Sequence, residues 1–295
     1  TTEDINSIGA GTYILTSTDV NGCTTDQTII ITEPNTLTSN YTTTNWNGYQ
    51  IQCNGGNNGT ITMNVAGGVT SPPYTYQING TNNNSNTFSS LNQGNYTIIA
   101  TDGNGCTTDQ TIVMTEPATL VDATYTQSNY NGVGVSCQGD TNGFINVSVQ
   151  GGVPNYNYSW SNGEITEDLT SIGAGTYTII VTDNNGCVDT ETTTVTEPNT
   201  YISSYTQSNY NSYGVSCNGD TNGYIDISIQ GGTSPYSFNW NNGDTTEDIN
   251  SIGAGTYILT STDGNGCTTD QTVIITEPNT LTSNYTTTNW NGYQI

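Results

Sequence analysis

The sequence predicts an all-β chain made of tandem sandwich domains, and three observations carry that expectation. Apolar residues alternate with a period of two over short segments bounded by Gly, Asn, Asp and Pro. No segment spaces them at i, i+3, i+4 and i+7, as an amphipathic helix would. A cassette also recurs. Gly255 to Pro278, GTYILTSTDGNGCTTDQTVIITEP, has earlier copies at Gly11–Pro34, Gly94–Pro117 and Gly175–Pro198. Each copy reads as two alternating strands joined by a tight Asn-Gly turn, a terminal β-hairpin. The closing prolines fall at 34, 117, 198 and 278, a domain-sized period of 80–83 residues. Three complete units are therefore expected at 35–117, 118–198 and 199–278. Residues 1–34 form the C-terminal part of a unit, and 279–295 the N-terminal part of the next. Residues 1–51 match 245–295 except at Val20/Gly264 and Ile29/Val273, so the sequence reads as a window on a longer array.

Within a unit the elements follow in a fixed order. A Thr/Tyr-rich extended segment, such as Thr36 to Thr44, reads as a first strand that ends at a cysteine. After Cys53, Cys137 and Cys217 comes a Gly/Asn/Asp loop (NGGNNG, QGDTNG, NGDTNG) with the chemistry of tight turns. The second strand alternates through Ile61, Met63 and Val65, then Ile145, Val147 and Val149, then Ile225, Ile227 and Ile229, which predicts one buried face. The third places Tyr74, Tyr76 and Ile78, Tyr156, Tyr158 and Trp160, or Tyr236, Phe238 and Trp240 in the core. A fourth strand around Leu169 or Ile249 precedes Tyr13, Tyr96, Tyr177 or Tyr257, placed as a tyrosine corner. Trp160 and Trp240, with those four tyrosines, are the expected core aromatics. About seven short strands per unit make immunoglobulin-like β-sandwiches the expected domain, joined through Glu-Pro into a linear filament.

Composition limits function. The 295 residues contain no Lys, Arg or His and 25 Asp or Glu, a formal charge of −25. No side chain can meet a phosphate as a cation, which excludes nucleic acid and anionic membrane as partners. No apolar run is long enough to cross a bilayer as a helix. Without His or Lys most catalytic constellations cannot be assembled, and the recurring pairs Glu167/Asp168 and Glu247/Asp248 suit solvated strand edges. The chain reads as a non-enzyme needing no cofactor, calcium apart. Asn218, Asp220 and Asn222 alternate before Gly223 like the opening of an EF-hand loop, with Asp140 and Asn142 as equivalents. No bidentate Glu follows and Asn54 to Asn58 offer no carboxylate, so Asx turns are the competing reading. Trp46, Tyr130, Tyr210 and Trp290 lie beside Asn-Gly or Asn-Ser turns, where they can stack on sugars or pack on their own sandwich.

The ordered motifs C-N-G-D-T-N-G-Y-I-D-I-S-I-Q-G-G-T-S-P-Y-S-F-N-W-N-N-G at 217–243, G-A-G-T-Y at 253–257, T-D-G-N-G-C at 262–267 and I-T-E-P at 275–278 resemble the SprB-type repeat of gliding-motility adhesins. The resemblance spans all three complete units and both partial ones. It implies a very large surface protein of gliding Bacteroidetes, exported by the type IX secretion system, anchored at the outer membrane and moved by the gliding machinery. Its partners would be neighbouring repeats and external surfaces or polysaccharides. The first complete unit departs from the pattern in Gly56, where Asp140 and Asp220 stand, and in the Asn-rich segment 79–86.

Secretion makes disulfides the default for the seven cysteines. Pairing within a unit would give Cys53–Cys106, Cys137–Cys187 and Cys217–Cys267. Strand direction favours another scheme, because the first-strand end and the last hairpin turn lie at opposite ends of a sandwich, roughly 25 Å apart for eight-residue strands. A disulfide needs Cα atoms within about 7 Å. Pairing between successive units gives Cys53–Cys187 and Cys137–Cys267. A switched or folded-back first strand would restore the in-unit scheme.

Overall fold

The computed structural model describes residues 4–287, with backbone also placed at 289–290 and 293–294. It contains strands and no helix among the described residues. The first elements, β1 (Gly11–Thr18) and β2 (Thr24–Ile31), form an antiparallel hairpin in register from Gly11↔Ile31 to Thr18↔Thr24. Residues 35–117 follow as two sheets. In one, β3 (Thr38–Thr43), β4 (Gly59–Ala66) and β7 (Thr87–Leu91) lie in the order β3-β4-β7. In the other, β5 (Thr75–Ile78), β6 (Thr81–Asn83), β8 (Gly94–Thr101) and β9 (Thr107–Met114) lie in the order β6-β5-β8-β9. The next repeat has β10 (Asp122–Gln127), β11 (Gly143–Gln150) and β13 (Leu169–Ile172) in one sheet, and β12 (Asn157–Trp160), β14 (Gly175–Thr182) and β15 (Val188–Val195) in the other. The third repeats this with β16 (Ile202–Gln207), β17 (Gly223–Gln230) and β19 (Ile249–Ile252), then β18 (Ser237–Trp240), β20 (Gly255–Thr262) and β21 (Thr268–Ile275). A short pair, β22 (Asn289–Trp290) and β23 (Tyr293–Gln294), closes the described chain.

These are immunoglobulin-like β-sandwiches. The first complete repeat has the expected seven strands because its Asn-rich segment supplies β6, while the other two have six. Period-two alternation sets each core. Ile61 and Met63 of β4 meet Phe88, Ile98, Ala100, Ile112 and Met114, and their Thr and Asn neighbours point outward. Each buried aliphatic contributes about 1.5–3 kcal/mol. At the sheet junction, Ser39 Oγ lies 2.9 Å from Thr108 Oγ1 and Gln110 Nε2 donates to Ser39 O at 3.1 Å.

The third strand is less buried than its pattern predicts. Trp160 and Trp240 are buried, but Tyr74, Tyr76, Ile78, Tyr156, Tyr158 and Phe238 are half-buried and Tyr236 is exposed. The first tyrosine of each trio instead ties down the Gly-Gly turn, through Tyr74 OH to Gly67 O, Tyr156 OH to Gly151 O and Tyr236 OH to Gly231 O, at 2.6–2.8 Å. Tyr13, Tyr96, Tyr177 and Tyr257 are also half-buried, Tyr96 and Tyr257 packing against the cores of their repeats, and each donates its hydroxyl to the carbonyl four residues upstream (Gly9, Asn92, Gly173, Gly253) at 2.8–3.1 Å. That is the hydrogen bond of a tyrosine corner. The acidic pairs are structural too: Asp168 and Asp248 accept the N–H groups of Val147 and Ile227, each at 2.8 Å.

At Gly231, φ is +69° and a Cβ would stand 1.9 Å from Thr200 O. Gly231→Ala is therefore expected to cost at least about 1–3 kcal/mol from backbone strain, with the carbonyl clash added. Thermal unfolding that left residues 199–278 unchanged would contradict this.

The chain packs as two compact units. One comprises Thr1–Asp122, Gln150–Tyr156 and Thr182–Val188, and the other Ala123–Val149, Asn157–Val181 and Asp189–Ile295. The first therefore combines residues 35–117 with two end loops of the following repeat. Within each unit, bonds that join a cysteine loop to the hairpin turn of the following repeat form the site described next.

Candidate functional site

Each repeat carries two cysteine loops, one at either end of its sandwich. At the N-terminal end is the hairpin turn T-D-x-N-G-C. Buried Asp183 accepts the N–H groups of Asn185 (2.9 Å) and Cys187 (2.8 Å) at Oδ1 and that of Val153 (2.8 Å) at Oδ2. Asp263 binds Asn265, Cys267 and Thr233 in the same way, and Asp102 binds Asn104, Cys106 and Val69. Three N–H donors on one carboxylate fix the turn and the direction of its cysteine. At Asp102 these bonds, the one from Val69 foremost, hold the carboxyl below the usual carboxylate range against the opposing effect of burial.

The sign of the consequence follows. Near and below the ordinary aspartate value of about 4, the unfolded chain binds more protons than the folded one. Stability of residues 35–117 supplied by Asp102 is thus present above that value and lost as pH falls through the lowered one. Asp102→Asn would turn an amide N–H toward either Val69 N–H or the turn, so it should lower the melting temperature at pH 7 and flatten the acid limb. An unchanged acid limb in the variant would show that Asp102 does not carry it.

The C-terminal loop begins beyond the first strand. That strand stops at Thr43, Gln127 or Gln207, short of the cysteine that was expected to end it. Asn47 (φ 48°) and Gly48 (φ 96°) then reverse the chain between Trp46 and Tyr49, whose backbones exchange hydrogen bonds of 2.7 and 3.0 Å. The bridges Tyr130↔Val133 and Tyr210↔Tyr213 repeat this turn. Next the chain dips into the core at Ile51, Val135 or Val215, all fully buried, whose N–H groups bind the carbonyls of Thr115, Thr196 and Thr276 at 3.0–3.1 Å. These plugs lie two residues before each cysteine, in segments with no strand pattern, and sequence reasoning missed them. Past the cysteine, the N–H groups of Gly55, Gly139 and Gly219 bind the carboxylates of Glu116, Glu197 and Glu277 at 2.7–2.8 Å. The Glu of each Glu-Pro pair thus clamps the cysteine loop.

In the first unit Cys53 is bonded to Cys187, with Cα atoms 5.8 Å apart. In the second, Cys137 is bonded to Cys267, with Cα atoms 5.7 Å apart. The in-unit alternatives Cys53–Cys106, Cys137–Cys187 and Cys217–Cys267 are not formed; Cys106, Cys217 and Cys23 are free and exposed. The reason is positional. The Cys106 turn sits beside Asn35, Gly68 and Val69, at the end of the sandwich opposite Thr115 and Glu116, where the Cys53 loop is clamped.

Amides complete both junctions. Gln52 Nε2 donates to Asn185 O (2.6 Å), Asn185 Nδ2 returns a bond to Gln52 O (2.9 Å), and Asn47 Nδ2 donates to Asn185 Oδ1 (2.7 Å). Around Cys137–Cys267, Asn131 Nδ2 donates to Asn265 Oδ1 (2.7 Å), and Asn265 Nδ2 lies 3.1 Å from Ser136 O and 3.2 Å from Tyr130 O. The contacts are neutral, which suits a chain whose surface has no cation to pair with its carboxylates.

The calcium candidates are bound within their own loops. Asp140 Oδ2 accepts from Ser136 Oγ (2.6 Å), and Asn142 binds Ser136 through both its amide atoms. Asp220, Asn222 and Ser216 repeat this network, while Asn218 Nδ2 donates to Pro278 O at 3.2 Å. In the first loop Gln52 replaces the serine where Gly56 replaces the aspartate, and Gln52 binds Asn58 instead. No cluster of three or more His, Cys, Asp or Glu converges among the described residues. Of the proposed sugar platforms, Trp46 and Tyr210 are exposed and Tyr130 is half-buried. Tyr130 and Tyr210 donate their hydroxyls to Asn142 O and Asn222 O. The side chain of Trp290 lies outside the described residues.

The SprB repeat family matches three segments, residues 49–83, 124–165 and 209–245. The chain carries three SprB-type repeat segments. Each segment spans a cysteine loop, the second strand and the third. No curated protein matches the sequence. Among solved structures, the N-terminal eight Ig domains of Down syndrome cell adhesion molecule align at 10% identity over 91% of this chain, with a TM-score of 0.29. The array spans about half of that structure, 51%. A tetra-tandem repeat from the extending region of a large adhesion protein aligns at 14% identity over 93% of this chain and 84% of its own, also at 0.29. A Bacteroides ovatus mixed-linkage glucan utilization locus protein, SGBP-B, in complex with a heptasaccharide, aligns at 16% over 79% and 67%, at 0.17.

Proposed function

We propose that this SprB array is a structural stalk segment of a very large cell-surface adhesin of gliding Bacteroidetes, exported by type IX secretion and anchored outside this segment. In this reading it sets reach and bears tension during attachment and movement, as a linear filament of sandwiches at 35–117, 118–198 and 199–278. The observation that carries it is the pair of disulfides joining the Cys53 and Cys137 loops to the hairpin turns of the repeats that follow them. Such a bond lets a junction carry load in parallel with its peptide linker. The absence of Lys also removes isopeptide bonds as a means of reinforcement.

The test is mechanical. Cells displaying an array with its junction cysteines replaced by serine should carry normal amounts of surface protein yet detach sooner under flow. Equal detachment under flow would refute the tensile role. A second reading, multivalent polysaccharide binding, draws on the exposed Tyr236, stacked on Tyr201 with ring centroids 5.7 Å apart, beside a groove lined by Gln138, Asn199 and Thr200. Retention of residues 1–295 on a glycan array, lost in Tyr236→Ala, would favour it.

A further inference from the structure

We infer that Asn185 and Asn265 are sites of spontaneous deamidation which the closed junctions hold in check, so that opening a junction admits a chemical change that keeps it from closing again. The inference rests on the junction geometry and stands whether or not the array bears tension on a cell.

Both asparagines precede a glycine in the turn T-D-x-N-G-C. Glycine carries no side chain to shield its backbone nitrogen from the preceding carboxamide, which makes Asn-Gly the reactive pair. Water is the only co-reactant. The Gly186 nitrogen attacks Asn185 Cγ, its proton leaves with the amide nitrogen as ammonia, and a cyclic imide remains. Water then opens the ring at either carbonyl, giving aspartate or its β-linked isomer, in which the main chain runs through the side-chain carbons. Gly266 and Asn265 react in the same way.

The attack requires the carboxamide to fold back over its own glycine, and the junction points it elsewhere. Asn185 Nδ2 donates to Gln52 O (2.9 Å) and Asn185 Oδ1 accepts from Asn47 Nδ2 (2.7 Å), both on the preceding repeat. The Gly186 N–H is itself engaged by Asp183 O at 3.0 Å. Asn265 Oδ1 accepts from Asn131 Nδ2 (2.7 Å), its Nδ2 lies 3.1–3.2 Å from Ser136 O, Tyr130 O and Thr233 Oγ1, and Gly266 N–H binds Asp263 O at 3.0 Å. Asn185 is buried and Asn265 half-buried. Two other Asn-Gly turns isolate the effect of the junction. The N–H groups of Gly163 and Gly243 bind Trp160 O and Trp240 O at 2.9 and 3.0 Å, much as Gly186 binds Asp183 O. Asn162 and Asn242, however, are exposed and hydrogen-bond only within their own turns.

The product does not fit the junction. A carboxylate oxygen in place of Nδ2 stands against Gln52 O, or against Ser136 O and Tyr130 O, with no donor between them, and the chain has no Lys, Arg or His to offset the charge. The β-linked isomer also lengthens the main chain of a turn whose aspartate fixes the direction of Cys187. A junction that stays open long enough to react thus loses the geometry that re-forms its disulfide.

Residues 1–295 are to be incubated for weeks at mildly alkaline pH with and without reductant, and deamidation counted at each Asn-Gly by peptide mapping. In the oxidised chain Asn185 and Asn265 should react at least about 30-fold more slowly than Asn162 and Asn242, the factor that two net amide hydrogen bonds supply. In the reduced chain they should approach the rates of Asn162 and Asn242, which should themselves be unchanged. Cys53→Ser, which lies outside the reacting turn, should release Asn185 without reductant and leave Asn265 protected. On reoxidation, the Cys53–Cys187 bond should return only in chains that keep Asn185. Asn185→Asp should fail to form that bond while residues 118–198 keep their own thermal transition. Equal rates at Asn185 with and without reductant, full reoxidation of reacted chains, or a Cys53–Cys187 bond in Asn185→Asp would overturn the inference.

Discussion

Trp240→Ala is expected to unfold residues 199–278 at a temperature about 15–30 °C below the native array, while the rest of the chain keeps its own transition. Trp240 is 2% exposed and packs with Val215, Ile225, Ile227, Ile249, Ile252, Leu259, Val273 and Ile275, the whole core of that repeat. Its Nε1 also donates to Thr246 O at 3.0 Å, holding the segment before β19. Truncation removes the side chain and leaves a cavity, at a cost of about 3–5 kcal/mol. That is a large share of the stability of a domain this small. The first complete repeat shows that the volume, rather than the tryptophan, is required. There Ile78 occupies the aligned position and is half-buried, and the core holds Phe88, Met63 and Met114. Calorimetry of the array and its variant checks this. A uniform downward shift of every transition would mean that the repeats do not unfold separately.

Strand identity was legible because period-two alternation is a local signal, and β4, β11 and β17 carry it in full. The third strand misled because a tyrosine can satisfy the same pattern with its hydroxyl on a turn carbonyl as with its ring in the core. Tyr74, Tyr156 and Tyr236 take the first option. Ile51, Val135 and Val215 were illegible for the opposite reason: each is a single apolar residue between turns, and its burial depends on the distant carbonyls of Thr115, Thr196 and Thr276. The recurrence of Cys, Asn-Gly and Thr-Glu-Pro was plain in the sequence, but their roles are mutual. The Glu clamps the cysteine loop of its own repeat, and the Asn-Gly turn meets the loop of the repeat before it. Such partners lie 58–138 residues apart, beyond any sequence window.

The second large effect is on extensibility. Reduction of both disulfides should lower the stability of each junction by about 2–5 kcal/mol, since they close spans of 134 and 130 residues. Under force the change should be greater, because the two spans overlap. With both bonds intact, the shortest covalent path runs from residue 1 to Cys53, crosses to Cys187, returns to Cys137, crosses to Cys267 and continues to 295. That path holds about 130 residues, so the fully unravelled chain can reach only about 450 Å at ~3.5 Å per residue. Without the bonds all 295 residues extend, to about 1,000 Å. Cys137→Ser should give an intermediate limit near 560 Å, because the first staple alone leaves about 160 residues in the path. At each junction a peptide linker and a disulfide run in parallel, and the disulfide takes up tension that the Glu-Pro linker would otherwise carry alone. Single-molecule pulling of residues 1–295 in oxidising and reducing buffer measures these limits directly. Equal contour lengths in the two buffers would show that the staples do not confine the chain.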